Sequence, residues 1–212
     1  MNAHTTRRLA RPTAIAALAG CTLAGCVSGL RSNVPAQQTY LLNPAPGTAP
    51  TDMPVAHQSL QVLAPTAAPG LGTDAIAVLR PGGRLDYYLG ARWAAAAPAM
   101  LQTLTIDALR PAGRFSLVEA DSGPFPADYV LGLELRHFEA QYQDDGPPTI
   151  HVTLIASIGR RSAGEPAASV IADSTIKAQD NRMQAVVAAF EQATGEALRR
   201  VLAAVAALPP DH

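Results

Sequence analysis

Two cysteines are all this 212-residue chain has, and both fall within its first 26 residues. Beyond Cys26 there is no internal disulfide and no thiol chemistry to expect. No apolar run reaches the roughly 18–20 residues that a membrane-spanning helix needs. Charge is sparse: 16 Lys and Arg stand against 17 Asp and Glu, scattered without a basic face, so nucleic acid is not an expected partner. Catalytic signatures are missing too. There is no Gly-x-Ser-x-Gly elbow, no His-Glu-x-x-His zinc helix and no Gly-x-x-x-x-Gly-Lys phosphate loop. The expectation is of no enzyme, no cofactor and no bound metal.

What is present begins at the N-terminus. Arg7, Arg8 and Arg11 precede an apolar stretch over residues 13–25, the order of an export signal. Leu18-Ala19-Gly20-Cys21 and Leu23-Ala24-Gly25-Cys26 are two copies of one tetrapeptide, and it resembles the box at which bacterial lipoprotein signals are cut and lipidated. A cut before Cys21 leaves an unusually short apolar core, whereas a cut before Cys26 leaves a typical one. Cys26 is therefore the expected lipidation site, with Cys21 the alternative. Removing residues 1–25 takes three arginines and no acid, leaving 13 basic against 17 acidic residues, formally −4. Each buried CH₂ of an acyl chain contributes about 0.8 kcal/mol, so two or more chains anchor the protein stably. Val27 stands where inner-membrane lipoproteins of the enterobacterial pattern carry aspartate. By that resemblance the expected location is the outer membrane, on its periplasmic face.

The organisation expected is a signal over residues 1–25, a lipidated cysteine and tether over 26–37, and a single domain over 38–208. Short strands are expected at 39–42 and 59–64. Residues 43–54, with Pro44, Pro46, Pro50 and Pro54, form a loop or extended connection. Residues 65–74 read as a loop turning at Pro69-Gly70. Residues 75–79 and 85–89 make a hairpin around Arg80-Pro81-Gly82-Gly83, where proline presets the second turn position and glycine takes positive φ at the third. A helix from Pro98 to Arg110 buries Leu101, Leu104 and Ala108, and Pro111-Ala112-Gly113 stops it.

Strands at 115–119, 129–142, 149–161 and 168–179 follow, the last three as an antiparallel meander. Within 129–142 the apolar parity switches from Leu131, Leu133 and Leu135 to Phe138, Ala140 and Tyr142, which predicts a bulge near Arg136-His137. Met183, Val187, Phe190, Ala197, Val201, Val205 and Leu208 mark a final amphipathic helix, with Asp180 or Asn181 as N-cap. Two helices on one face of a twisted, mainly antiparallel sheet make an α+β fold.

Few residues suggest chemistry. His137 and His151 lie on the two arms of one predicted hairpin. With its turn centred near Asp145-Gly146, His137 faces about Leu154 and His151 about Ala140, an offset pair with no acid fixed beside it. Asp144-Asp145 reads as turn chemistry, and Glu134 and Asp173 as solvent-face residues. The segment Leu85-Asp86-Tyr87-Tyr88-Leu89-Gly90-Ala91-Arg92-Trp93 differs. It gathers two of five tyrosines and the only tryptophan into nine residues. Trp93 would plug the core where the chain turns into the helix, with one tyrosine buried. Tyr87, Tyr88 and Arg92 are the candidates for a partner surface, being residue types enriched where proteins dock.

The order of these features resembles a known family. A lipidation box is followed by Tyr40-Leu41-Leu42, Leu60-x-Val62 and Pro69-Gly70-Leu71. Then come Leu85-x-Tyr87-Tyr88, Arg92-Trp93, a proline-started helix with Met100-Leu101, and Gly113-Arg114-Phe115. Together they resemble the ABC-type transport auxiliary lipoproteins, the group containing paraquat-inducible protein C. The resemblance implies a partner protein with mammalian-cell-entry (MCE) domains, which form rings or tubes that carry lipid across the periplasm. It implies a docking role for the auxiliary lipoprotein at the outer membrane and supplies no catalytic residue. Self-association is left open. Two other readings stand beside it: an outer-membrane lipoprotein with a structural, assembly or secretion role unrelated to lipid transport, and a periplasmic hydrolase whose motif is not legible.

Overall fold

The computed structural model describes residues 37–45, 57–143 and 145–208. Cys21, Cys26, residues 27–36 and Asp144 lie outside the described residues. Nine strands and two helices occupy the described part. They are β1 (Gln38–Tyr40), β2 (Ser59–Val62), β3 (Thr66–Ala67), β4 (Ala75–Arg80), β5 (Arg84–Trp93), α1 (Ala97–Leu109), β6 (Leu117–Ala120), β7 (Tyr129–Gln141), β8 (Thr149–Arg160), β9 (Ala168–Lys177) and α2 (Met183–Ala206).

The long strand β7 is the spine of the sheet. One of its edges pairs antiparallel with β8 along its whole length, and β8 pairs with β9 in the same sense. Its other edge is shared in turn by three parallel strands. Residues 60–62 lie against 129–131, 66–67 against 134–135, and 77–79 against 139–141. The sheet therefore forks, continuing through β6 beyond β2 and through β5 and β1 beyond β4. The expected α+β fold holds in a mixed sheet whose longest ladders are the antiparallel ones.

The expected loop 65–74 is a loop only in part, since β3 lies within it. Pro65 donates nothing, but the amides flanking it do: Leu63 N–H donates to Leu131 O at 2.9 Å and Ala68 N–H to Leu135 O at 2.8 Å. These bonds draw the segment onto β7. Both predicted turns form. Gly83 N–H donates to Arg80 O at 3.2 Å across Pro81-Gly82, and Leu71 N–H to Ala68 O at 3.0 Å across Pro69-Gly70. The third position of each is a glycine, with φ of 81° at Gly82 and 85° at Gly70.

The parity switch in β7 is a bulge where expected. The β7–β8 register slips between Leu135 and His137, so Leu131, Leu133, Leu135, Phe138, Ala140 and Tyr142 are all buried. They share one core with Ile150, Val152, Leu154 and Ile158 of β8 and with the apolar stripe of α2. At its centre Trp93, Phe138 and Phe190 meet with ring centroids 5.0–5.7 Å apart.

Both helices depart in detail from expectation. In α1, Leu101 is buried, but Thr105, Ile106 and Leu109 take the inward places, while Leu104 and Ala108 are only half-buried. The Thr105 hydroxyl donates to Leu101 O at 2.7 Å, which lets a polar residue face the core. Neither Asp180 nor Asn181 caps α2; the N-cap is Arg182, with no side-chain cap bond. Asn181 is engaged elsewhere, accepting the Tyr142 hydroxyl, and Asp180 turns back onto the Arg182 amide at 2.7 Å.

Candidate functional site

The aromatic segment forms a large bulge in an otherwise ordinary hairpin. The β4–β5 ladder runs from Arg80↔Arg84 to Ala77↔Tyr87, breaks, and resumes at Ala75↔Arg92. Four residues of β5 (88–91) thus stand against Ile76 alone. Gly90, at φ 72°, makes the reversal, a conformation a side chain would strain. The result is that Leu89 is 99% exposed, the most exposed large apolar side chain among the described residues.

The three residues singled out from sequence part company here. Tyr88 turns inward, its hydroxyl 2.8 Å from that of Tyr142, which in turn donates to Asn181. Arg80 lies over the Tyr142 ring at 4.9 Å. Burial, then the Tyr142 hydrogen bond, raise the Tyr88 pKa well above the phenolic range, so it acts as a neutral tie between β5, β7 and the start of α2. Tyr87 points out, and its hydroxyl donates to Gly70 O at 3.0 Å. Gly70 holds φ 85°, so a side chain there would strain the backbone of the Pro69-Gly70 turn as well as push aside the Leu85 methyl 2.3 Å from its Cβ. Arg92 is half-exposed, with Nη1 3.6 Å from Asp74 Oδ2 and Nε donating to Thr39 Oγ1 at 3.3 Å. It ties β1 to the strand. Trp93 is the core plug expected of it, 1% exposed.

Tyr87 and Leu89 therefore remain as outward apolar contacts. They border a shallow concavity of about 570 Å³ lined also by Val78, Arg80, Leu85 and Tyr88. Leu89 escaped the sequence reading. Its signal was there: Gly90 beside it interrupts the strand, and a glycine inside a strand pattern marks a bulge.

A second group lies on the opposite face of the sheet from the core. The register Tyr87↔Ala77↔Glu139↔His151↔Thr175 carries one row across five strands. The two histidines are offset as expected, but by two residues rather than three, which puts them on one face as diagonal neighbours. Beyond the bulge His137 faces Thr153 and His151 faces Glu139, one residue away from an unslipped ladder. The imidazoles stack with centroids 4.2 Å apart and an interplanar angle of 13°. Glu139, 3% exposed, shares their face, with Oε1 2.9 Å from His137 Nδ1 and 3.8 Å from His151 Nδ1. Asp173, far from isolated on its solvent face, is 2.8 Å from His151 Nε2 and accepts the Thr153 hydroxyl. Those bonds, the hydroxyl first, hold its carboxyl below the ordinary range. The expectation that no acid stands beside the histidines is overturned.

A family model described as "ABC-type transport auxiliary lipoprotein component" matches residues 40–202. A crystallised protein of Xanthomonas campestris is 26% identical, with a TM-score of 0.71 over 80% of this chain and 95% of its own. A second solved structure, of an uncharacterised protein, has a TM-score of 0.62 at 12% identity, covering 80% of this chain and 99% of that one. No curated protein matches the sequence.

Proposed function

The chain belongs to the ABC-type transport auxiliary lipoprotein family, and we propose from this premise that it docks the periplasmic conduit of an ABC transporter at the outer membrane. The anchor is Cys26, held in the periplasmic leaflet, and residues 27–36 are the tether that lets the domain reach. The partner is an MCE-domain protein, and the cargo is lipid or another apolar molecule. Lipid crosses water too slowly unaided, so a conduit kept against the receiving membrane has a use. The observation that carries the reading is the β5 bulge. A 99%-exposed leucine beside an exposed tyrosine is a cost in water, recovered when a partner covers them. The family supplies no catalytic residue, and the reading needs none.

Capture of the C-terminally tagged, full-length lipoprotein from gently solubilised envelopes tests it, with mass spectrometry of the companions. Recovery of an MCE-domain protein is the expected result. Outer-membrane assembly or secretion components in its place would replace transport with an assembly role. The anchor is tested separately. Cys26→Ser is expected to abolish acylation and leave uncleaved precursor, read by acyl labelling and intact mass; a normally lipidated variant would assign the anchor to Cys21.

A further inference from the structure

We propose that His137, Glu139 and His151 form a site for a divalent transition-metal ion of the zinc class on the helix-free face of the sheet. One donor atom from each, two imidazole nitrogens and a carboxylate oxygen, lie within 4.8 Å of one another. Two nitrogens and one oxygen are a donor set that zinc takes readily.

Three observations carry the assignment. The first is the charge. Glu139 is a carboxylate with a side chain only 4% exposed; its Oε1 meets the two imidazoles and the Gln141 amide, and its Oε2 accepts the Phe138 amide at 2.7 Å. An ionised carboxylate withdrawn from water needs a positive partner. Two carboxylates, Glu139 and Asp173, stand against the two imidazoles here, and a divalent cation is a partner that two carboxylates can balance.

The second is the proton on His151. Its Nε2 faces the Asp173 carboxylate at 2.8 Å, and an ionised carboxylate only accepts, so the neutral ring carries its hydrogen there. Nδ1 is then a bare lone pair, and the Gln141 amide donates to it at 3.0 Å, as that tautomer requires. A histidine whose far nitrogen is held by a carboxylate is the usual outer support of a metal ligand.

The third is convergence. The same Gln141 Nε2 donates to Glu139 Oε1, also at 3.0 Å. Two acceptors thus aim at one positively polarised nitrogen, and the ion takes that nitrogen's place. The Gln141 side chain swings away, or its amide turns to offer Oε1 as a fourth oxygen. His137, half-exposed, passes its proton from Nδ1 to Nε2 and rotates out of the stack, because parallel rings cannot both direct their in-plane lone pairs at one ion. Its exposure also gives the ion a way in from solvent.

The test uses the full-length lipoprotein in detergent, stripped with chelator and titrated with ZnCl₂ by equilibrium dialysis and calorimetry. One Zn²⁺ per chain, bound at micromolar or lower concentration, is expected. Affinity should fall at least tenfold in Glu139→Gln and His151→Ala and about tenfold in Asp173→Asn, the size of a lost outer support. His57→Ala should bind as the parent does. Absence of stoichiometric zinc in the parent overturns the site, and so does unchanged affinity in Glu139→Gln and His151→Ala, which would put the ion elsewhere. Circular dichroism checks folding. If burial makes the Glu139 variant unfold, the half-exposed His137→Gln decides: a tenfold loss supports the site and an unchanged isotherm overturns it.

Discussion

Two antiparallel ladders of this sheet carry bulges, and the two bulges do opposite things. Between β7 and β8 one surplus residue changes the parity of the strand, and the core closes over both sides of it: Leu135 is 0% and Phe138 2% exposed. Between β4 and β5 the surplus is three residues, and Leu89 is left in water. The difference lies in what surrounds them. The β7 bulge is flanked by strands on both edges and by α2 packed on the core face of β8 and β9, so every apolar side chain has somewhere to go. The β5 bulge sits where β1 has yet to join, since β1 pairs only with residues 91–93. A bulge in the middle of a sheet reassigns faces, whereas a bulge at its margin builds surface.

The sharpest way to test this comparison is to delete single residues from β7. Deleting Arg136 is expected only to restore unbroken alternation, with Phe138, Ala140 and Tyr142 still on the core face, whereas deleting Gly132 from the regular part should turn Tyr129 and Leu131 to the solvent face and abolish cooperative unfolding in denaturant. Arg136→Ala, which keeps the chain length, should change stability by no more than about 0.5 kcal/mol. A cooperatively folded Gly132 deletion would mean that the ladder can slip without loss.

Next in size is Trp93→Ala, just beyond the β5 bulge, with an expected loss of about 3–5 kcal/mol in chemical denaturation. Trp93→Phe should lose far less, because the buried Nε1–H has no hydrogen-bond partner among the described residues. Equal losses would show that the indole nitrogen contributes to the fold.

At the tip of that bulge, Leu89→Asp should leave stability within about 0.5 kcal/mol while reducing capture of the transporter partner at least tenfold. Unimpaired capture would move the docking surface off β5.

The smallest effect belongs to two surface carboxylates at β2. Asp128 accepts the amide of Ser59 at 2.8 Å and Asp121 that of Ala64 at 3.1 Å, and these backbone bonds hold both carboxyls below the ordinary range. A lowered folded-state pKa contributes stability that is present above the unfolded value, about 3.9. It is lost as pH falls through the lower folded values. Melting temperature should therefore drop below about pH 4, and the double variant D121N/D128N should show a shallower drop. Identical acid profiles would assign the loss to other groups.

Much of the fold was legible because alternation is local. Ile150, Val152, Leu154, Ala156 and Ile158 announce both a strand and its inward face, and the broken parity of β7 announces its bulge. Pro81-Gly82 and Pro69-Gly70 announce turns through φ alone. The site was less legible. Tyr88 and Tyr87 are adjacent and alike in sequence, yet one is tied to Tyr142 and the other lies outside. The histidines were misjudged by a single residue of register. Locating a bulge on one strand does not say how the partner strand closes around it.

By itself the sequence determined which segments are strands or helices and which way their apolar sides face, since both follow from periodicity within one segment. Tertiary structure alone decided which residues meet. The 66–67 segment becomes a strand only because β7 offers it acceptors. Leu104 gives way to Ile106 because α1 packs on β2 and β6 with α2 beside it rather than above it. Glu139, His137, His151 and Asp173 converge from three strands because one slipped register aligns them. Contacts across strands depend on register, and register is set by turns, bulges and the neighbours on both edges, none of which a single segment contains.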